Sequence, residues 1–91
     1  MEIDLAKAGA LNWTVYILKC ADETLYTGIT NDLERRMAEH EAGRGARYTK
    51  GRGPFQLVYQ ETCQGRGPAA KRENEIKALD REAKLLLFSP R

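Results

Sequence analysis

The stretch Trp13–Cys20, WTVYILKC, does most to limit what this chain can become. Eight residues rich in β-branched and aromatic side chains carry a single charge, so the segment reads as a well-buried strand. Four turn-forming residues follow, ADET at 21–24, and then LYTG at 25–28. That order predicts a hairpin in which LYTG is the returning strand. In a chain of 91 residues there is room for one core only.

The remaining elements follow from local signals. Asn31, with Glu34 three residues on, offers a capping box for a helix running to about Ala42 and stopped by Gly43. FQLVYQETC at 55–63 sets Phe55, Leu57 and Tyr59 against Gln56, Gln60 and Thr62, as a third strand would. Pro68 suits the first turn of a second helix reaching to about Leu79, and Asp80 can cap a last helix that ends before Ser89. The predicted order is β-β-α-β-α-α. The fold class is α/β in the broad sense (α+β), a small three-stranded, mostly antiparallel sheet flanked by helices. Residues 1–12 read as an arm, 13–88 as the single domain, and 89–91 as a tail.

Composition narrows the setting. No apolar run approaches the ~20 residues of a membrane span, and the acidic opening does not read as a signal peptide. A cytoplasmic location without membrane association is expected. The two cysteines, Cys20 and Cys63, lack metal or redox spacing and are expected as unpaired thiols. The charge is segregated. Residues 1–43 carry four basic and eight acidic side chains, whereas 44–77 carry eight and three. A basic flank of this kind can face a polyanion.

Three groups of residues fit a purely apolar core poorly. On the first helix Leu33, Met37 and His40 share one stripe, with Arg36 beside it and four residues from His40. On the second, Glu73 lies on the side defined by Ala69, Ile76 and Leu79, while Glu75 points outward. A carboxylate placed there must pair with a cation, bind a metal or be protonated. An ion pair with Arg36 is the structural expectation for Glu73; a metal ligand facing a reaction centre is the functional one. Tyr16 and Tyr26 lie on the two hairpin arms. Two phenols, a guanidinium, an imidazole and a carboxylate together match what phosphodiester hydrolysis needs.

These residues resemble the GIY-YIG nuclease superfamily, and more closely its small stand-alone UPF0213 members. The half-motifs are TVY (14–16) and YTG (26–28). Arg36 lies eight residues past the motif glycine Gly28, His40 one turn later, and Glu73 stands in ENEIK. GARYT (45–49) matches an element of the stand-alone family. The likeness runs from Trp13 to about Leu87. Thr14 and Val15 replace the glycine and isoleucine of the first half-motif, and Ile29 stands where some relatives carry a lysine, which allows for weak activity.

The resemblance implies a divalent-metal-dependent endonuclease acting on nucleic acid, DNA more than RNA, with a role in DNA repair or processing. The alternative is a nucleic-acid-binding module with a degenerate site. Tyr16, Tyr26, Arg36, His40 and Glu73 are the implied catalytic residues. Glu73 is the one protein ligand of a single Mg²⁺ or Mn²⁺, and Tyr16 or Tyr26 takes a proton from water. Arg36 is expected to lower that phenol's pKa from ~10 and to clamp the phosphorus, a role worth roughly 3 kcal/mol. His40 holds the phosphate or the tyrosine. The first helix's N-terminus near Thr30 and Asn31 suits phosphate. The Gly-rich loop GRGARYTKGRGP (43–54) is expected to grip the backbone through Arg44, Arg47, Lys50 and Arg52, with Tyr48 against a base or sugar.

Overall fold

Alternation along the central strand sorts the core into two faces. In the computed structural model, which describes residues 12–89, β1 (Trp13–Lys19) pairs antiparallel with both β2 (Leu25–Thr30) and β3 (Gln56–Cys63). The sheet order is β2-β1-β3. Val15 to Leu18 are all fully buried, as the near-continuous apolar run requires. The expected sheet and element order are both present. The expected arm up to Leu11 and the tail beyond Ser89 lie outside the described residues.

Val15 and Ile17 point to one face. There they form the core with Ala69 and Ile76 of α2 (Arg66–Lys77), supported by Leu87 and Phe88 of α3 (Arg81–Phe88). Each such aliphatic side chain withdrawn from water contributes roughly 1.5–3 kcal/mol. Tyr16 and Leu18 point to the opposite face. That face is covered by α1 (Leu33–Glu41), whose one buried residue is His40, and by a 3-10 turn at Arg47–Thr49.

Some boundaries differ from the sequence expectation. The N-cap of α1 is Asp32, not Asn31: its carboxylate accepts from Arg35 N at 3.1 Å, and Thr30 Oγ1 accepts from Asp32 N at 3.0 Å. Glu34 therefore closes no capping box. The charged cap also suits the positive end of the helix dipole, so a carboxylate of the chain already occupies the end expected to suit phosphate. Phe55 lies just outside β3. The β1–β3 register shifts between Ile17 and Leu18, which face Tyr59 and Leu57; the extra residue Val58 breaks the simple alternation. Asp80 caps α3 as expected, accepting from Ala83 N at 2.9 Å. Cys20 and Cys63 are free.

Gly67 sits in the first turn of α2, and a Cβ added there meets nothing within 4 Å. Gly67→Ala is expected to stabilise the protein by about 0.5–1 kcal/mol through lost unfolded-state entropy and better helix propensity. Chemical denaturation should show a higher midpoint at unchanged slope.

Candidate active site

The register of the hairpin places a glycine under a phenol. Tyr16 pairs with Gly28 across the β1–β2 ladder. A Cβ on Gly28 would stand 2.7 Å from the Tyr16 hydroxyl and 2.9 Å from Cε2 of Tyr26. The missing side chain lets the two rings lie with centroids 6.2 Å apart. Helix α1 brings His40 into the same cluster. Its Nε2 lies 2.8 Å from the Tyr16 hydroxyl, and its ring lies 5.4 Å from that of Tyr26. Phe55 closes the far side, with centroids 5.9 Å apart.

The second nitrogen of His40 is also engaged. Nδ1 lies 2.9 Å from Thr49 Oγ1, and the Thr49 hydroxyl donates to the Ala46 carbonyl at 2.9 Å. His40 and Thr49 are each 1 % exposed. With both nitrogens committed and the ring buried, His40 holds the tyrosine and is not available to a phosphate. Nothing in the sequence pattern paired Thr49 with His40, since the contact depends on how the Gly-rich loop folds back onto α1.

The electrostatics run partly against the sequence expectation. Burial pushes the Tyr16 phenol up to about 12. Arg36 opposes this as a hydrogen-bond donor and a positive charge, while Tyr26 and Glu73 add to the rise. Desolvation outweighs Arg36, so Tyr16 is a neutral donor at physiological pH. Arg36 also interacts electrostatically with Tyr26. Tyr26, partly exposed where Tyr16 is sealed, is the phenol that solvent can reach.

Burial pulls the His40 imidazole below its ordinary 6.5, with Arg36 acting in the same direction and Glu39 and Glu41 against it. The unfolded chain thus binds a proton at this site before the folded one does. This contribution to stability is complete above about pH 6.5 and is lost as pH falls below it. Melting temperatures should fall on acidification through that window more steeply for the native chain than for His40→Asn.

Glu73 and Arg36 do not pair with each other. Arg36 Nη1 lies 2.9 Å from Glu39 Oε1, and Glu73 Oε2 lies 3.2 Å from Lys77 Nζ. Each finds its partner one turn along its own helix, because α1 and α2 cover opposite faces of the sheet. The Glu73 carboxylate is nevertheless close enough for its charge to act on the Tyr16 phenol. Among the described residues no three His, Cys, Asp or Glu side chains gather into a metal cage.

The basic loop is only partly free. Arg52 donates from Nε to the Tyr48 carbonyl at 2.7 Å and forms an ion pair with Asp22. Its guanidinium stands 4.3 Å from the centroid of the Tyr48 ring, which also stacks on Tyr26 at 5.9 Å. Arg52 and Tyr48 thus brace the loop against the β1–β2 turn and Tyr26, a structural role the sequence reading did not assign. Arg44, Arg47 and Lys50 remain exposed. Beside Tyr26 runs a groove of about 290 Å³ lined by Leu25, Tyr26, Thr27, Tyr48, Lys77 and Lys84. Lys77 and Lys84 add cations from α2 and α3 that the sequence reading left out of the site. A larger depression of about 520 Å³, lined partly by Leu57, Arg81 and Phe88, includes none of the clustered residues.

Comparison with known proteins decides what this arrangement belongs to. Residues 12–85 match the GIY-YIG catalytic domain. The chain is a member of the GIY-YIG family. A UPF0213 protein of Natronomonas pharaonis is 57% identical over 70 residues, covering 77% of this chain and 82% of that protein. One of Clostridium perfringens is 56% identical over 75 residues, covering 82% and 81%. The solution NMR structure of a UPF0213 protein from Bacillus halodurans superposes with a TM-score of 0.55 at 43% identity, covering 87% of this chain and 88% of that one. A protein from E. faecalis gives 0.58 at 33% identity, covering 84% and 82%. GIY-YIG membership implies a nuclease family and nucleic acid as the partner. No helix among the described residues is long and apolar enough to cross a membrane.

Proposed function

We propose that the protein is a divalent-metal-dependent endonuclease that hydrolyses phosphodiester bonds of DNA, with a role in DNA repair or processing. The observation that carries this reading is the meeting of Tyr16, Tyr26, Arg36 and His40 at one patch within reach of the Glu73 charge. Three separate stretches of chain contribute to that patch, and Glu73 comes from a fourth. A core built only for stability has little use for so many polar groups.

Glu73 holds a single Mg²⁺ or Mn²⁺. One carboxylate fits an ion that keeps most of its shell as water and phosphate oxygens, as hard octahedral cations do. When bound, the ion supplies charge neutralisation at the leaving oxygen. Tyr26, the reachable phenol, meets the attacking water. Arg36 retains free donors beyond its bond to Glu39 and neutralises the phosphate. Tyr16 and His40 set the positions of Tyr26 and Arg36 from beneath.

One observation favours the second reading, a nucleic-acid-binding module without turnover: the Tyr16 phenol is pushed up to about 12, far from a base that works at neutral pH. Incubation with single-stranded, duplex and branched DNA and with RNA, in Mg²⁺, Mn²⁺ or EDTA, separates the two. Metal-dependent cutting supports the enzyme. Binding without cutting in every condition establishes the module instead.

Binding itself should depend on salt. With Arg52 held by Asp22, three loop cations (Arg44, Arg47 and Lys50) remain for phosphates. The slope of log K against log salt on duplex DNA should be about −2.7, not the −3.6 or so that four contacts give. Arg47→Ala should make the slope shallower by about 0.9.

A further inference from the structure

The hydrogen-bond chain through His40 has a direction, and the direction follows from counting protons. The Tyr16 and Thr49 hydroxyls each have one proton to donate. Thr49 directs its proton to the Ala46 carbonyl, 2.9 Å away, an atom that can only accept. Toward His40 Nδ1 the Thr49 oxygen is therefore an acceptor, and Nδ1 must carry the imidazole hydrogen. Tyr16 leads to the same answer. Its hydroxyl is fully buried, and the acceptor within reach among the described residues is His40 Nε2 at 2.8 Å. The other group that hydrogen-bonds to that oxygen, Arg36, is a donor. The reverse tautomer would leave the Tyr16 proton without an acceptor and set two donors against each other.

We propose that Thr49 is a positioning residue that holds His40 as the Nδ1–H tautomer, so that Nε2 stands open to the phenolic proton of Tyr16. The surrounding loop is shaped to the same end. Gly45 packs against the imidazole so closely that a Cβ would stand 2.8 Å from Cε1 and 2.9 Å from Cγ, and Phe55 confines the ring from another side. Tyr16 thereby stays a neutral phenol whose proton is directed at Nε2, and its fixed ring helps set Tyr26 and Arg36 in place. Thr49 of the GARYT element thus acts through His40 and not by touching substrate, whereas Arg47 of the same element is exposed. The catalytic consequence rests on the nuclease reading above; the tautomer does not.

The chain contains one histidine, so long-range ¹H–¹⁵N correlation on the untagged protein at mildly alkaline pH reports this ring alone. A protonated Nδ1 with a bare, pyridine-like Nε2 is expected. Thr49→Ser should retain that pattern, and Thr49→Val should move the hydrogen to Nε2 or mix the two forms. A native spectrum showing Nε2–H overturns the proposal, whether or not any variant folds. So does a folded Thr49→Val, or Thr49→Ala, with the native tautomer. In cleavage assays Thr49→Val should lose about 10–100-fold, the range found for outer partners of metal-bound histidines, with Thr49→Ser restoring most of it. Nδ1–H in a native protein that cuts nothing overturns the nuclease reading and leaves the tautomer assignment standing.

Discussion

Glu73→Gln is expected to lower metal-dependent cleavage by at least about 100-fold while leaving the fold intact. The scale is that of losing one preorganised electrostatic group at a reacting centre, roughly 2.7–4 kcal/mol. Stability should hardly change. Glutamine preserves the side chain's volume against α2's inner stripe, and the interaction lost is the i,i+4 pair with Lys77. Lys77 is about half exposed, at 51%, and pairs of this kind contribute about 0.3–0.5 kcal/mol. Initial rates over a Mg²⁺ titration, set beside thermal melts and DNA-binding isotherms, make the comparison. Unchanged rates would remove Glu73 from the reaction. A collapse of the melt would show the carboxylate to be structural.

Gly45→Ala should be the most damaging small change in the loop. The added methyl overlaps the His40 ring, and that ring cannot easily move. Tyr16 and Thr49 hold its two nitrogens, Phe55 and Tyr26 lie against it, and it is 1 % exposed. Overpacking at such a position costs about 1–3 kcal/mol. At roughly 4–8 °C per kcal/mol for a domain near this size, the melting temperature should fall by at least several degrees. The change is steric and not conformational, which sets it apart from Gly43 and Gly51, where positive φ values of 79° and 77° favour glycine with nothing close by. Melts of Gly45→Ala and Gly67→Ala in parallel should move in opposite directions. A Gly45→Ala protein as stable as the native one would mean that the imidazole is free to shift.

Much of the site was legible because its signals are local. Arg36 and His40 are four residues apart, so any helix places them side by side. Glu73 shares a stripe with Ala69 and Ile76 by the same geometry, and Tyr16 and Tyr26 fall on the two arms of one hairpin. Asp80 as a cap follows from one side chain and the backbone three residues on. The N-cap of α1 was missed by one position because Asn31 and Asp32 can both cap, and contacts of Thr30 and Arg35 choose between them.

Partnership across the fold was not legible. An ion pair with Arg36 was the structural alternative for Glu73, but the helices carrying them lie on opposite faces, and each side chain pairs within its own helix. Arg52 was expected at phosphate, but it is 30 residues along the chain from the Asp22 carboxylate that binds it. Arg36 was expected to lower a tyrosine's pKa, but burial of Tyr16 is the larger effect. Residue order alone determined the strands, the helices and which chemical groups each element offers, because those depend on periodicities of two and 3.6 residues. Only the tertiary structure decided who faces whom and how dry each group is, because contact distance and dielectric are properties of the assembled packing.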